Sequence, residues 1–581
     1  MGFNYDYIMK GKYSMKQISL NGFWEILLDP AGIGEPWGEY QSLELSHKTF
    51  INDRKTLNYR PITVPGTWTN LPEMKWYREK LWYIKRFPWC PDRTRTFLRF
   101  DSVNYHARVW LNGNFLGEHE GGYTPFEFEV TAHIKEGENY LAVKVDPIPG
   151  PDSTVPITGW TCHPGIIRSV TLYTTPSARL TNVHLATSLD DRLENGLITL
   201  EAAFDGKTSS AAELNWTIRD PAGRQAASGG LPVKGKSLRA EIALNGVQLW
   251  SPDTPLLYSV EIALNCAERQ YTRSLKIGFR RFEVRPDAFY LNNKKIFLRG
   301  AGLHAMYPGL GHTIPEELYR RDYSLMKQAG MNAVRLVHYP HDSAALEIAD
   351  EMGLLVWEEI PLYWQAKKEQ ERTRNSALQQ LQELILRDRH HACVFAWGLG
   401  NEVPTRDAGS VEYFRRAREL AKQLDPSRPV SFIDASSLPE ANNPSLKYAD
   451  FVAHNLYYGW YAPQVEDLKP ALDTLSKRYP RTPLLITEFG AGAVRGHHGG
   501  EQVPWTEEFQ ARVLKFNIEC FKNHPNVGGC FIWCWADFED PTRLENIFER
   551  GVNNKGIVDA ARYPKAAYDV VARIFNDRPE A

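Results

Sequence analysis

The chain has 581 residues, which at about 150 residues per domain predicts roughly three to four domains rather than one small module. Its 68 Lys and Arg residues are balanced by 70 Asp and Glu residues, so the net charge of -2 leaves no excess of cations for binding a nucleic acid. The sequence contains no run of about eighteen apolar residues, so we expect no membrane-spanning helix. Residues 1–16 carry Asn, Asp, Lys and Gly instead of an apolar stretch, which predicts a cytoplasmic location without an export signal.

The cysteine content argues against a metal site, and the aromatic content is compatible with sugar binding. The seven cysteines are few and odd in number, and they lack the paired Cys and His spacing of a zinc site. We therefore expect reduced thiols, no metal and no cofactor. The 17 Trp, 27 Tyr and 26 Phe residues suit the stacking of sugar rings, although a large β core uses the same residues.

Two β-rich regions come first in the chain. Residues 1–177 are predicted to form an N-terminal, jelly-roll type β-sandwich, because short alternating runs are separated by Gly, Pro and Asn. Within it, Asn112-Gly113 lies between two alternating segments and predicts a hairpin. Residues 178–277 show a second set of alternating runs, and their length suits an immunoglobulin-like β-sandwich. The strand candidates are residues 97–100, 126–130, 141–145, 197–202, 240–244 and 257–262.

From residue 278 to the end, apolar runs alternate with helical stretches, as in repeated βα units. Eight such strands with interleaved helices predict a C-terminal (β/α)8 TIM barrel over residues 278–581. The predicted strands are residues 296–303, 333–339, 354–360, 394–399, 430–433, 451–456, 484–487 and 527–533. The predicted helices are residues 316–328, 343–351, 378–387, 411–423, 470–478, 506–521 and 565–575.

Two glutamates stand at carboxyl ends of predicted barrel strands, where the active sites of such barrels lie. Glu402 follows the fourth strand and Glu488 ends the seventh, 86 residues later. These strands face each other across a barrel, so the two carboxylates can converge on one pocket. Each could instead form a salt bridge at the barrel rim, as we expect for Glu358 or Glu359 near the end of the third strand.

A pair of carboxylates in one pocket suits cleavage of a glycosidic bond with retention of configuration, which needs an acid and a nucleophile about 5–5.5 Å apart. At that separation two ionised carboxylates repel by roughly 3 kcal/mol at an effective dielectric near 20. One of them must therefore keep its proton near neutral pH. Charge repulsion alone leaves open which of the two this is.

Several motifs along the whole chain resemble glycoside hydrolase family two, the family of β-galactosidases, β-mannosidases and β-glucuronidases. The matching N-terminal and middle segments are Leu20–Asn–Gly–Phe–Trp24, Val64–Pro–Gly–Thr–Trp68, Val109–Trp–Leu–Asn–Gly113, residues 165–173 and residues 249–256. In the barrel, residues 332–340 are similar to the family's second-strand signature. The resemblance implies that the first domain is a sugar-binding-like sandwich and that relatives form homo-oligomers, often dimers or tetramers.

The resemblance also implies roles for residues of the predicted pocket. It makes Glu402 the acid/base, Glu488 the nucleophile and Asn401 a ligand of the sugar 2-hydroxyl. His304 and His338, at the ends of the first two strands, are candidates for binding sugar hydroxyls, with a buried structural histidine as the alternative for each. Trp533, at the end of the eighth strand, is the candidate floor under the sugar ring.

The substrate class depends on Asn553 and Lys555, after the eighth strand. In family-two β-glucuronidases an Asn-x-Lys motif stands there, and a Lys ammonium can pair with the C6 carboxylate of a uronic acid. Tyr457 and Tyr461 belong to an aromatic run that is similar to one in glucuronidases, which makes them candidate contacts of the nucleophile and the carboxylate. The resemblance thus implies a retaining exo-β-glucuronidase acting on a small-molecule or oligosaccharide β-glucuronide.

Alternatives stay open at this point. A β-galactosidase or a β-galacturonidase of the same family would keep both glutamates, and a carbohydrate-binding protein would use the same two β domains. Ala305–Met306 stands where relatives usually carry Glu–Asp, and residues 159–163 lack an Asp that glucuronidases use, so the resemblance does not extend to the contacts of the distal hydroxyls. Residues 361–374 are short and charged, which suggests an open pocket for larger aglycones.

Overall fold

A computed structural model of the chain describes residues 17–32, 34–35, 59–90, 95–148, 153–155, 159–206, 212–266, 269–364, 370–434, 443–462, 464–544 and 546–577. In these ranges two β-sandwiches precede a parallel barrel, as the sequence predicts. No helix in them combines the length and the apolar character that a membrane crossing requires.

The N-terminal sandwich packs a four-stranded sheet, in the order β1-β10-β5-β8, on a six-stranded sheet, in the order β3-β2-β4-β9-β6-β7. Inward-facing aromatic and β-branched side chains, such as Trp24, Tyr83 and Val143, fill the space between the sheets. The predicted hairpin is confirmed: Asn112 and Gly113 adopt φ of 50° and 82°, which suits a two-residue turn. The strands are β1 (Gln17–Ser19), β2 (Gly22–Leu28), β3 (Tyr59–Val64), β4 (Leu81–Trp89), β5 (Arg95–Phe100), β6 (His106–Leu111), β7 (Asn114–Glu120), β8 (Phe126–Glu129), β9 (Gly137–Asp146) and β10 (Val170–Thr175).

The second sandwich pairs a three-stranded sheet, β11-β12-β15, with a four-stranded sheet, β14-β13-β16-β17. Its strands alternate buried and exposed side chains because one face packs on the other sheet and the other face meets water. The strands are β11 (Ala178–Leu189), β12 (Asn195–Gly206), β13 (Glu213–Arg219), β14 (Gln225–Pro232), β15 (Ser237–Asn245), β16 (Tyr258–Cys266) and β17 (Arg269–Ile277).

A small antiparallel sheet lies between the second sandwich and the barrel and closes the barrel's lower end. It consists of β18 (Phe282–Arg285), β19 (Ala288–Leu291) and β20 (Lys294–Ile296). Phe289 lies edge-on to Phe451, with ring centroids 5.3 Å apart, just before the sixth barrel strand. A Cβ on Gly528, at the start of the eighth barrel strand, would lie 2.5 Å from the Phe289 ring. The sheet therefore seals the end opposite the predicted pocket.

The eight predicted barrel strands and the seven predicted helices are all present. The sheet runs β25-β24-β23-β22-β21-β28-β27-β26, and a parallel bridge between Ile433 and Ala453 joins its two ends. The helix between the third and fourth barrel strands begins at Glu371 rather than at residue 378, because its first turns are largely polar and carry little apolar periodicity. The strands are β21 (Leu298–His304), β22 (Ala333–Val337), β23 (Leu355–Glu359), β24 (Val394–Gly398), β25 (Val430–Ser431), β26 (Val452–Asn455), β27 (Leu484–Glu488) and β28 (Val527–Ile532). The helices are α1 (Glu316–Gln328), α2 (Ser343–Met352), α3 (Glu371–Asp388), α4 (Ala408–Leu424), α5 (Leu468–Arg478), α6 (Glu507–Asn523) and α7 (Ala566–Asn576).

Shorter elements complete the fold. A two-stranded ribbon pairs β29 (Phe538–Glu539) with β30 (Val552–Asn553) above the eighth barrel strand. The 3-10 turns are Trp68–Asn70, Pro72–Met74, Leu446–Tyr448 and Val465–Asp467.

The N-terminal sandwich packs against the upper part of the barrel. Arg168 is buried and donates through Nη2 to the carbonyl of Pro340, after the second barrel strand, at 2.7 Å. Thr161 donates its backbone N–H to the carbonyl of Glu539 at 3.1 Å. These contacts hold residues 159–163 over the barrel mouth, so the first domain takes part in building the pocket.

Candidate active site

Glu402 stands on a tight turn directly after β24, with a φ of 50°, in the left-handed region that non-glycine residues rarely adopt. Asn455, the last residue of β26, donates through Nδ2 to Glu402 Oε1 at 2.9 Å. Burial, followed by the negative charge of Glu488, raises the pKa of Glu402 to about 7, although the Asn455 hydrogen bond lowers it. A large fraction of Glu402 therefore holds its proton at neutral pH.

Glu488, the last residue of β27, is buried and receives two donors of different kinds. Arg335 Nη1 donates to its Oε1 at 2.9 Å, and the Tyr457 hydroxyl donates to its Oε2 at 2.6 Å. The two bonds reach different oxygens and so fix the plane of the carboxylate. Burial thus keeps Glu402 largely protonated, whereas Glu488 is paired with the cation of Arg335.

Arg335, on β22, links the pocket together and is a functional residue that we did not select from the sequence. Its guanidinium is fully buried and forms a bidentate pair with Glu359 at 3.0 and 3.1 Å, besides its bond to Glu488. The pKa of Glu359 lies below its usual value, since Arg335 and His338 outweigh the burial that would raise it. Glu359 thus forms the structural ion pair expected at the strand ends. Glu358 lies fully buried beside Asp388 and Arg387.

Asn401, next to Glu402, is oriented by the same guanidinium. Arg335 Nη2 donates to Asn401 Oδ1 at 2.7 Å. Because arginine can only donate, the amide group of Asn401 must turn its Nδ2 the other way. That Nδ2 is buried and has no hydrogen-bond partner among the described residues. It is therefore a donor available to a ligand.

The two predicted histidines and the predicted tryptophan lie together against a segment of the first domain. His338 uses Nδ1 for Glu359 at 2.6 Å, and its Nε2 lies 4.0 Å from Glu488 Oε1. Its ring stacks on Trp533 with centroids 5.1 Å apart. Trp160 of the N-terminal sandwich lies 5.5 Å from the His338 ring, so the first domain supplies a wall of the pocket.

His304 offers a second free polar atom. Its Nδ1 lies 3.2 Å from the hydroxyl of Tyr339, and its buried Nε2 has no partner in the described part of the chain. Burial, followed by the charges of neighbouring histidines, lowers the pKa of His304 well below its usual value, so the ring is neutral. Ala305 and Met306, which follow it, are buried apolar side chains.

Lys555 lies in the segment between β30 and α7, with its side chain almost fully buried. Its Nζ is 5.6 Å from the ring centroid of Trp460 and 5.3 Å from that of Tyr461. No carboxylate forms an ion pair with it within the described ranges. Asn553 accepts the backbone N–H of Lys555 through Oδ1 at 3.3 Å, so this predicted residue shapes the turn.

Tyr457 and Tyr461 lie at different depths of the pocket. Tyr457 contacts Glu488 inside the pocket, whereas Tyr461 is 58% exposed at the rim. Their rings lie 5.0 Å apart, and Arg543 donates to the Tyr461 hydroxyl at 3.1 Å. The aromatic run thus connects the buried Glu488 to the surroundings of Lys555, and all ten predicted site residues lie at the carboxyl end of the barrel.

Another cluster of titratable side chains lies at the opposite end of the barrel. Asp350, His391 and Cys393 approach one another closely enough to be considered as metal ligands. The Asp350 carboxylate already accepts from His391 Nδ1 at 2.6 Å and from the backbone N–H of Cys393 at 2.7 Å. Burial raises the pKa of the Cys393 thiol well above its usual value, which disfavours the thiolate that metals bind. The cluster is a hydrogen-bonded support of the barrel floor.

Family models match almost the whole chain. Residues 18–176 match the sugar binding domain of glycosyl hydrolases family 2, residues 178–280 match glycosyl hydrolases family 2, and residues 282–577 match its TIM barrel domain. A putative β-glucuronidase of Formosa agariphila is 28% identical over 90% of this chain and 67% of its own length. A β-galactosidase of Thermoanaerobacter pseudethanolicus is 33% identical over 65% of this chain and 51% of its own length.

Solved structures agree with these relatives. The β-glucuronidase of Ruminococcus gnavus in complex with D-glucuronic acid is 25% identical, has a TM-score of 0.87, and is matched over 98% of this chain and 99% of its own. Family-2 models thus match three consecutive domains of the chain. The third of these domains is the barrel whose mouth holds the two glutamates. The chain belongs to glycosyl hydrolase family 2 and is a glycoside hydrolase rather than a non-catalytic carbohydrate-binding protein.

Proposed function

We propose that the protein is a retaining exo-β-glucuronidase that removes terminal β-D-glucuronic acid by double displacement. The observation that carries this proposal is the Lys555 ammonium, which is buried beside two aromatic rings without a carboxylate partner among the described residues. A buried cation without a counter-charge is costly, and the C6 carboxylate of a uronic acid would supply that charge. A neutral galactoside has no group that can do so.

A second lysine in the same segment gives a direct contrast. Lys565 is equally buried, but its Nζ contacts Asp537 Oδ1 at 2.8 Å and two backbone carbonyls. The fold therefore neutralises the lysine that holds the segment in place. Among the described residues no carboxylate pairs with Lys555, which lies near the rings of Trp460 and Tyr461, and this favours a ligand-binding role for it.

In the first step of the proposed mechanism, a Glu488 oxygen attacks the anomeric carbon while the glycosidic C–O bond breaks. Glu402 transfers its proton to the departing oxygen, so the aglycone leaves as a neutral alcohol or phenol. Arg335 and Tyr457 hold the attacking carboxylate in place. The product is a glycosyl ester on Glu488 and an ionised Glu402.

In the second step the ester itself changes the acidity of Glu402. Once Glu488 is esterified its negative charge is gone, and with it the charge that raises the pKa of Glu402. Glu402 can then stay ionised and take a proton from water as the hydroxyl adds to the anomeric carbon. The Glu488 C–O bond breaks, and both glutamates return to their starting protonation states.

The proposed ligands of the sugar ring are the donors left free in the pocket. Asn401 Nδ2 is placed to donate to the 2-hydroxyl, an interaction that strengthens in the transition state. His304 Nε2 and the His338 ring are proposed contacts of other hydroxyls, and Trp533 is the proposed floor. Asn553 supports Lys555 by fixing its turn.

Initial rates on matched p-nitrophenyl β-glucuronide, β-galacturonide and β-galactoside test the proposal. Losing one partner of a buried charge pair costs about 2–4 kcal/mol, so Lys555→Met should lower kcat/KM on the glucuronide by roughly 30- to 900-fold. The same variant should leave the galactoside rate within about threefold of wild type, and Lys555→Arg should keep part of the glucuronide rate. A wild-type preference for the galactoside that is indifferent to Lys555 would overturn the proposal.

A β-galactosidase is the second candidate, because the β-galactosidase relative has the higher identity, 33%, over its matched part. A β-galacturonidase would use Lys555 in the same way, since its substrate also carries the C6 carboxylate. The uronide pair in the substrate panel distinguishes the two C4 epimers.

Location, assembly and aglycone size stay predictions from the sequence. We predict a cytoplasmic location, which cell fractionation would test, and a homo-oligomer, which light scattering of the purified protein would detect. The open pocket predicted from residues 361–374 falls partly on residues 365–369, outside the described residues. A strong preference for an aryl glucuronide over a glucuronyl oligosaccharide would contradict it.

A further inference from the structure

A cavity of about 240 Å³ lies between the immunoglobulin-like sandwich and the lower end of the barrel. Its walls come from β11, from the segment that follows β17, and from the loops that lead into β24 and β25. Since the two catalytic glutamates lie at the carboxyl ends of the barrel strands, this cavity is at the opposite end of the barrel.

The cavity wall is strongly cationic. It contains Arg280, Arg281, Arg389 and Arg428, and no Asp or Glu is among its lining residues. Arg428 pairs with the carboxylate of Asp425 at 2.7 Å. Arg281 lies 3.8 Å from a fully exposed Asp191. Arg280 and Arg389 form no ion pair within the described ranges.

Two guanidinium N–H groups of the lining arginines have no acceptor among the described residues. Arg389 donates through Nη1 to the carbonyl of Leu424 at 2.7 Å, but its buried Nε has no partner in the described part of the chain. Arg280 donates through Nε to Ala392 and through Nη2 to Val394, which leaves its Nη1 without a protein acceptor there. Burial, followed by the charge of Arg428, lowers the pKa of Arg280 to about 9, so it is still protonated at neutral pH.

We propose that this interdomain cavity binds a phosphate group, either as the free ion or as part of a small organic phosphate. Guanidinium groups offer paired N–H donors that match phosphate oxygens, and a bound anion would neutralise the excess charge of Arg280 and Arg389. The volume lies below the roughly 300–1,000 Å³ of drug-sized pockets, which suits a small anion. Such a ligand would hold the second domain against the barrel.

Calorimetric titration of the full chain with inorganic phosphate, at constant ionic strength set by chloride, tests the proposal. We expect saturable binding by the wild type and a Kd at least about tenfold higher in Arg389→Gln, the change that follows from losing about 1.4 kcal/mol. Arg224→Gln, which alters an exposed arginine paired with Asp220, is the matched control and should bind as the wild type does. Lys555→Met should also bind normally, which separates this site from the catalytic pocket.

Glucose 6-phosphate and AMP, titrated in the same way, distinguish an organic phosphate from the free ion. Arg281→Gln serves as a second variant if Arg389→Gln does not fold, and turnover of the glycoside substrate reports folding in each case. The proposal would be overturned if the wild type showed no saturable phosphate binding. It would also be overturned if the Arg389 and Arg281 variants bound phosphate with the same affinity as the wild type.

Discussion

The acidity of Glu402 should set the alkaline limit of activity, and Asn455 should tune that limit. Because the first step needs Glu402 protonated, wild-type kcat/KM should fall tenfold per pH unit above a pH of about 7, the pKa of Glu402. Asn455 Nδ2 donates to Glu402 Oε1 and stabilises the ionised form. Replacing Asn455 with Leu, of similar size, removes this donor without admitting water, so the pKa of Glu402 should rise.

The expected shift follows from the strength of that bond. A hydrogen bond to a charged group contributes about 1.5–3 kcal/mol, and about 1.36 kcal/mol corresponds to one pKa unit. The alkaline limb of Asn455→Leu should therefore move upward by about one to two units. The assay is kcat/KM against pH on phenyl β-glucuronide, because its leaving group is a phenolate of pKa about 10 that needs the proton.

Asn526→Leu provides the matched control, because Asn526 is a buried asparagine just before β28, at the closed end of the barrel. Its limb should coincide with that of the wild type. An unchanged or downward-shifted limb in Asn455→Leu would show that Glu402 does not depend on this donor. A wild-type profile that stays flat to pH 9 would refute the assignment of Glu402 as the acid.

Three further predictions concern other parts of the site. With azide present, Glu402→Ala should release β-glucuronyl azide and Glu488→Ala should release the α anomer, because azide enters where the missing carboxylate stood; NMR of the product shows the anomer, and the reverse pattern would exchange the two roles. Asn401→Ala should lower kcat/KM on a glucuronide by a factor that corresponds to about 1–3 kcal/mol, but little on its 2-deoxy analogue, and an equal loss on both would exclude a bond to the 2-hydroxyl. Lys565→Met should destabilise the fold by about 3–5 kcal/mol in denaturant titrations, because it leaves Asp537 buried without its cation, and a loss below about 1 kcal/mol would contradict this role.

The sequence was informative where local pattern determines position. Apolar runs and their spacing located the eight barrel strands, and strand ends in turn located Glu402 and Glu488. The Asn112-Gly113 hairpin was predictable because two adjacent residues must adopt positive φ. The sharp left-handed turn at Glu402 was not, since nothing in its residue type requires it.

Contacts between distant parts of the chain were not predictable in this way. Arg335 reaches Glu488 across 153 sequence positions, and a single cation within an apolar strand has no local pattern that names its partners. The one available signal was a single charged residue within the otherwise apolar run of residues 333–337. Trp160 enters the pocket only because one domain docks on another. Lys555 and Lys565 are ten positions apart, and only the fold shows that Asp537 neutralises the second.

The charges around the pocket explain why a uronic acid would need a dedicated cation there. Arg335 pairs with both Glu359 and Glu488, so its single positive charge is shared between two carboxylates. A substrate carboxylate would add a further negative charge beside these groups. Arg335 cannot offset it, because the bonds to Glu359, Glu488 and Asn401 occupy its donors. Under the proposed function the balancing charge must therefore come from a separate group, and Lys555 is a buried cation with no carboxylate partner among the described residues.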